Sequence, residues 1–315
     1  MRIAVTGGAG FIGSEMVRQL VEQNHQVTVI DSLTYAGNLK TLESVRDKID
    51  FQKVDIRNAL RISQVIPAGN FEAVINFAAE THVDNSISSP GVFLETNILG
   101  TFNLLELAKK NNFRFLHIST DEVYGSISEG KFQEIDKLDP SSPYSASKAS
   151  AELIMQAYIK TYSIQALGVR CSNNYGHFQH YEKLIPAFIS RIQNGKKVPV
   201  YGDGSNVREW IHVSDSVSGI LRVLDRGKVG EFYNISSGEF HNNLEVARML
   251  LEYFGRDDEG IEFVEDRPGH DFRYAMDSSK IQSELGWQSE ISFSKGLIDT
   301  IEWYLSNLEF LRKSE

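Results

Sequence analysis

Cysteine is nearly absent: the 315 residues contain one, Cys171, so no intrachain disulfide can form and nothing asks for an oxidising compartment. Long apolar runs are missing too. No stretch approaches the roughly 18 consecutive apolar residues of a membrane-crossing helix, which leaves no candidate span. Positive charge is in short supply, with 32 Lys and Arg against 42 Asp and Glu and a formal net charge of −10. That sign is wrong for a surface whose main task is holding nucleic-acid phosphates, so no nucleic-acid partner is expected and any phosphate must be gripped locally. The start, Met1 to Gly7, runs into a strand-like segment without the apolar core and small-residue cleavage site of a signal peptide, and a cytoplasmic location is expected. Internal repeats at solenoid period, low-complexity tracts and long blocks of like charge are also lacking.

What is present is a globular composition, 41% hydrophobic and 23% charged, in a length that at about 150 residues per domain suggests two domains. The first half alternates short apolar runs with amphipathic stretches, the rhythm of βαβ units. Strands are expected at Arg2–Thr6, Gln26–Ile30, Asp50–Val54, Ala73–Phe77, Phe113–Ser119 and Gln165–Arg170, and helices at Phe11–Gln23, Asn58–Ile66, Val92–Lys110 and Pro143–Tyr162. After Arg170 the texture changes to glycine, asparagine and aromatic clusters with shorter elements. The expected organisation is an α/β chain with a Rossmann-type doubly wound parallel sheet over 1–170 and a smaller α/β substrate unit over 171–315, with some elements interlaced.

The run Val5-Thr6-Gly7-Gly8-Ala9-Gly10-Phe11-Ile12-Gly13 follows the first strand and opens the first helix. Glycines there let the backbone approach a pyrophosphate, whose charge then sits on free N–H groups at the helix N-terminus. The second strand ends at Asp31, 18 residues past Gly13, placed to accept hydrogen bonds from a ribose diol and to repel a 2′-phosphate. Strand, glycines, helix and acid in this order point to a dinucleotide, with NAD favoured over NADP.

Tyr144 and Lys148 are four residues apart, so on a helix both emerge on one face. A tyrosine hydroxyl is a poor base at neutral pH. An adjacent ammonium and a positive nicotinamide ring would lower its pKa. Such a pair also fits a solvated helix, and the upstream dinucleotide fingerprint is what turns the reading toward catalysis. The strand ending in Ser119-Thr120-Asp121-Glu122 sets a hydroxyl and two consecutive carboxylates at a strand's carboxyl end, where open α/β sheets bind ligands.

With these motifs in hand, the chain resembles the extended short-chain dehydrogenase/reductase family over nearly its full length, and within it the nucleotide-sugar 4,6-dehydratases, those acting on dTDP-glucose most of all. The resemblance rests on Gly7 to Gly13, Ala78-Ala79-Glu80-Thr81-His82-Val83-Asp84, Thr120 to Gly125, Tyr144 to Lys148, Ser172 to Gly176, Glu182 to Pro186, Asn206 to Trp210 and Asp266 to Asp271. The Thr-Asp-Glu triplet is the discriminating one, since related epimerases lack the acidic pair and related glucuronate decarboxylases carry Ser where Asp121 stands. The resemblance implies that Tyr144, with Lys148, takes the proton of the sugar 4-hydroxyl while Thr120 orients it and the C4 hydride passes to NAD. Glu122 then removes the C5 proton, Asp121, held protonated, donates to the departing C6 hydroxyl, and hydride returns to C6. Asp121 is expected to have a raised pKa and Glu122 to stay ionised.

The resemblance also implies the binding residues. Around NAD it places Gly7, Gly10, Phe11, Ile12 and Gly13; Asp31, Ser32, Leu33 and Thr34; Asp55 and Ile56; Ala78, Ala79 and Thr96; and Tyr144, Lys148 and Asn173. Around a nucleoside-diphosphate sugar it places Thr81 and Thr120 at the sugar, with Asn173, Lys183, Leu184, Pro199, Tyr201, Asn243 and His270 toward pyrophosphate and base. Arg208 and Arg267 would offer planar forks to phosphate oxygens. Departures are visible: His177 stands where the family usually has proline, followed by Phe178-Gln179-His180-Tyr181, and Asn85 where arginine is common. Losing the proline frees φ in that loop and leaves the base and sugar open. Cys171, His177 and His180 lack the spacing of a zinc site, so no metal is expected and both histidines are expected as loop or substrate-pocket residues. The alternatives are a 5,6-dehydratase, decarboxylase or 4-epimerase on a UDP- or CDP-sugar, or a non-catalytic NAD-binding scaffold, which should have lost some of Thr120, Asp121, Glu122, Tyr144 and Lys148. A homodimer through Val92–Lys110 and Pro143–Tyr162 is expected from the resemblance, although Phe93, Leu94, Leu104, Leu105 and Leu107 could equally be core.

Overall fold

The computed structural model describes residues 1–266 and 269–312. Twelve strands are formed: β1 (Arg2–Thr6), β2 (Gln26–Asp31), β3 (Ile49–Lys53), β4 (Ala73–Asn76), β5 (Arg114–Thr120), β6 (Ala166–Cys171), β7 (Asn173–Tyr175), β8 (Val198–Tyr201), β9 (Val207–His212), β10 (Phe232–Ile235), β11 (Phe240–Asn242) and β12 (Ile261–Val264). Seven of them make one parallel sheet in the order β10, β6, β5, β4, β1, β2, β3. Because β1 leads outward to β2 and β3 and the chain then returns to β4 on its other side, the order reverses between β1 and β4, where such sheets leave a crevice.

Burial on both faces explains why the central strands are short and largely apolar, while the edge strand β3 keeps Asp50, Gln52 and Lys53. Ile3 and Val5 join one buried cluster with Met16, Leu20, Val29, Val217 and Trp287, while the intervening Ala4 joins another with Ile30, Val74, Leu104, Leu105 and Phe115. Chain that follows Arg170 contributes β10 to this sheet, in register with β6 from Phe232↔Gly168 to Ile235↔Cys171. The remaining strands build a three-stranded sheet in the order β11, β9, β7 and a parallel pair β8 and β12. They enclose a separate cluster that includes Tyr175, Ile185, Trp210, Leu250 and Ile301.

The helix expected at Pro143–Tyr162 forms over those residues. Pro143 opens it, and Ser142 and Ser145 exchange a capping box. Phe11–Glu22 and Ala59–Val65 are helical as well, the latter capped by the Asn58 side chain. The expected helix at Val92–Lys110 is not uniform: an α-turn at Pro90–Phe93 widens into a π segment at Leu94–Gly100 before Thr101–Asn111 resumes. Gly100 is pressed onto Ile56, with no room for a Cβ, and the wide turn carries Asn97 into the interior. A short helix at Val83–Ser88 and the 3-10 run Leu39–Lys48 were not anticipated, having no clear apolar period. No helix among the described residues is long and apolar enough to cross a membrane.

Candidate active site

One cleft runs along the carboxyl ends of β1, β2, β4, β5 and β6, and its lining extends from the Gly7 loop to Lys183. At its cofactor end two glycines are dictated by space. A Cβ on Gly7, whose φ is +67°, would lie 2.6 Å from the Ala78 amide nitrogen, and one on Gly13 would lie 2.3 Å from the Gly7 carbonyl oxygen. The helix that follows has Gly10 as its N-cap and no side-chain cap, so its first-turn N–H groups face the cleft unclaimed by any side chain. These features fit a dinucleotide pyrophosphate. Asp31 closes β2 with its carboxylate accepting from Ala9 N–H at 3.0 Å and Leu33 N–H at 2.8 Å, which fixes it at the rim of the glycine loop.

Of the expected cofactor residues, the cleft brings together Gly7, Gly10, Phe11, Ile12, Gly13, Asp31, Ser32, Thr34, Asp55, Ile56, Ala78, Ala79, Thr96, Tyr144, Lys148 and Asn173. Leu33 is the exception: its backbone turns at φ +53° and its side chain packs against the core cluster.

The chemistry-bearing residues meet at the end of β5. The Thr120 hydroxyl donates to Asp121 Oδ1 at 3.0 Å, accepts from Glu122 N–H at 3.3 Å and lies beside the Tyr144 hydroxyl. Asp121 is 4% exposed, and its Oδ2 has no hydrogen-bond partner among the described residues. Burial, and then repulsion from Glu122, push its carboxyl up to about 8. Burial followed by the Glu122 and Asp121 charges also holds the Tyr144 phenol well above its ordinary value. The expectation that Lys148 lowers Tyr144 meets a different balance. Burial lowers the ammonium to about 8, and its Nζ donates to the Ile118 carbonyl at 2.6 Å. Within the chain itself, desolvation and the two acids outweigh the lysine.

Sequence reasoning missed the scaffold beneath this group. Asn97 Oδ1 accepts from Glu80 N–H at 2.8 Å, while its Nδ2 donates to the Glu80 carbonyl at 3.0 Å and to Ser147 Oγ at 2.8 Å. Ser147 Oγ donates in turn to the Tyr144 carbonyl at 2.7 Å, so one buried amide ties the loop after β4 to the helix bearing Tyr144 and Lys148. The sequence signal was faint, an asparagine in the middle of a helical run. Ser119, Ser172 and Gln179 also line the cleft without having been expected as ligands, and His180 lines it as a pocket residue.

The expected substrate residues divide. Thr81, Thr120, Asn173 and Lys183 line the cleft, and Lys183 Nζ donates to the Thr81 carbonyl at 3.0 Å. Leu184 only opens the next helix and packs on the second-half core. Pro199, Tyr201, Arg208, Asn243 and His270 do not line it. Tyr201 meets the His270 ring edge-on at 6.3 Å, and His270 Nδ1 lies 2.6 Å from Asp266 Oδ1. Asn243 N–H donates to the Asn206 carbonyl. Arg208 is buried, donates to the Val207 and Asp271 carbonyls at 2.8 and 3.0 Å and lies over the Tyr274 ring. Its charge still reaches Asp121, and Asp271 bonds Ser141 just before the Tyr144 helix, so this group abuts the catalytic residues. Arg267 lies outside the described residues. His177 turns away from the cleft, with Nε2 2.8 Å from Asp299 Oδ2 and its ring stacked on Trp303.

The sequence profile of the GDP-mannose 4,6 dehydratase family matches residues 4–300. A dTDP-glucose 4,6-dehydratase of Streptomyces niveus is 46% identical over 98% of this chain and 94% of its own length. The low-salt glycan biosynthesis protein Agl12 of Haloferax volcanii is 47% identical over 98% and 100%. A crystal structure of DesIV, a dTDP-glucose 4,6-dehydratase from Streptomyces venezuelae with NAD and TYD bound, superposes with a TM-score of 0.96 at 46% identity, covering 98% of each chain.

Proposed function

The chain belongs to the GDP-mannose 4,6-dehydratase family, and we propose that it is an NAD-dependent dehydratase converting dTDP-glucose to the 4-keto-6-deoxy sugar. The observation that carries the reading is the pair Asp121 and Glu122 at the end of β5, one of them buried with its carboxyl raised to about 8, beside Tyr144 and Lys148. NAD, when bound, supplies the acceptor for the C4 hydride and returns it to C6. The residues that would hold it are those of the Gly7 loop, Asp31 and the Ala78–Ala79 segment.

The chain's own groups then divide the proton work. Tyr144, as the phenolate that Lys148 stabilises, takes the proton of the C4 hydroxyl, which Thr120 orients, and becomes the neutral phenol. The ketone at C4 acidifies C5, and Glu122 accepts the C5 proton, which goes back to C5 when hydride is restored at C6. Asp121 is protonated at neutral pH and gives its proton to the C6 oxygen, so that the C–O bond breaks with water as leaving group rather than hydroxide. A carboxyl of ordinary pKa in that place would be ionised and unable to donate. Thr81, Asn173 and Lys183, which line the cleft, hold the sugar diphosphate.

We read residues 1–170 as the cofactor unit and 171–315 as the nucleotide-sugar unit, interlaced through β10. A cytoplasmic homodimer is part of the proposal, supported by Leu94, Leu99, Phe102, Leu153 and Tyr162, exposed apolar residues on the Pro90–Asn111 and Pro143–Tyr162 helices. Incubation with NAD and dTDP-, CDP- and UDP-sugars, followed by mass spectrometry, tests the activity: dTDP-glucose should lose one water. Loss of water from a CDP- or UDP-sugar alone would move the assignment to another base, and none from any donor would refute it.

A further inference from the structure

Tyr35 does not line the cleft, yet it joins the cleft's two sides. The turn that carries it is pinned at each end. Leu33 N–H donates to Asp31 Oδ1 at 2.8 Å, Gly37 N–H to the Thr34 carbonyl at 3.2 Å, and Asn38 N–H to the Ala9 carbonyl at 3.0 Å. Gly37 is fitted so closely that a Cβ there would lie 2.7 Å from Asp31 Oδ1. Thr34, Ala36 and Gly37 form part of the cofactor wall. From the apex, the Tyr35 hydroxyl approaches the hydroxyl and the backbone of Thr81. The His180 ring meets the Tyr35 ring edge-on at 5.5 Å. Thr81 and His180 both line the substrate side. Burial holds His180 below the usual imidazole range, so near pH 7 it is neutral, with one ring nitrogen left as a donor.

Resting on the dehydratase reading, we infer that Tyr35 is a positioning residue that latches the Leu33–Gly37 turn over the bound cofactor by tying it to Thr81 and His180. The proposed reaction gives the latch a task. Hydride taken from C4 goes back to C6 of the same sugar, so the cofactor must stay in place between the two transfers, whereas a simple dehydrogenase exchanges it every turnover. A tie made to the substrate wall, rather than within the cofactor wall, also couples cofactor retention to the occupied sugar site.

The test uses the full-length protein loaded with NAD. Cofactor dissociation is followed after dilution, and cofactor appearing in the protein-free filtrate is counted during turnover of dTDP-glucose. Tyr35→Phe removes the hydroxyl tie and keeps the ring against His180; Tyr35→Ala removes both. Dissociation should quicken about fivefold in Tyr35→Phe, as for one lost hydrogen bond, and further in Tyr35→Ala, which should stall unless NAD is in excess. Since Tyr35 is 43% exposed, the melting temperature should hold. Unchanged dissociation in Tyr35→Ala overturns the latch, as does faster dissociation accompanied by a lower melting temperature in both variants. Should the wild-type protein fail to dehydrate any sugar, the dehydratase reading falls, and the dissociation comparison still decides the latch.

Discussion

Replacing Asp121 by asparagine should make the protein more stable and a worse catalyst, and both effects follow from one carboxyl. Its pKa of about 8 stands above the ordinary 3.8. The gap of about 4 units corresponds to roughly 5 to 6 kcal/mol opposing ionisation in the folded site. Because the folded value is raised, the unfolded chain releases this proton first, so stability is fullest below the ordinary carboxylate range and declines as pH climbs toward 8. At pH 7 the loss amounts to about 4 kcal/mol, and above pH 8 to the whole gap. Asparagine has the same shape and still offers Thr120 an acceptor oxygen, but it has no proton to lose. Denaturant unfolding of the cofactor-free protein should therefore show wild type weakening from pH 5 to 9 by several kcal/mol more than Asp121→Asn. In rapid-quench experiments with NAD and dTDP-glucose, resolved by mass spectrometry, the variant should form the oxidised sugar nucleotide and lose water about 10² to 10⁴ times more slowly. Wild-type dehydration should fall above pH 8. A variant that eliminates water at the wild-type rate, or whose pH-stability curve parallels wild type, would refute the raised pKa and the acid role together.

Tyr144→Phe should bind NAD and substrate and give no oxidised sugar, since the buried phenol beside Thr120 takes the C4 proton; single-turnover mass analysis checks this. Gly13→Ala should abolish NAD binding in calorimetry, because the added Cβ would lie 2.3 Å from a backbone oxygen of the phosphate loop. Asn97→Ala should lower stability by about 1 to 3 kcal/mol by leaving the Glu80 amide and carbonyl unpaired, and lower kcat more than KM by loosening the Tyr144 helix. Denaturation and steady-state kinetics separate the two effects.

Local chemistry made much of this site legible beforehand. A glycine run between an apolar strand and a helix can do little else without a ligand, and the i, i+4 spacing of Tyr144 and Lys148 needs only a helix to align them. Buried parallel strands announce themselves by apolar runs, which is why strand positions in the first half shifted by no more than a residue or two. Short elements without a period were invisible, as at Val83–Ser88. The π segment was hidden as well, because its cause is a tertiary one, Gly100 seated on Ile56 and Asn97 drawn to Glu80.

What the sequence alone determined is the set of reacting groups and their order along the chain: a dinucleotide loop, an acid pair after a strand, a tyrosine and lysine on one helix face. Tertiary structure decided their protonation. No sequence pattern says that Asp121 is 4% exposed while facing Glu122, or that Lys148 spends its ammonium on the Ile118 carbonyl. A pKa is set by how much water is removed and which charges close in from distant segments. The same packing decided that Arg208 grips backbone carbonyls, and that Tyr35, unremarked in the chain, meets the His180 ring.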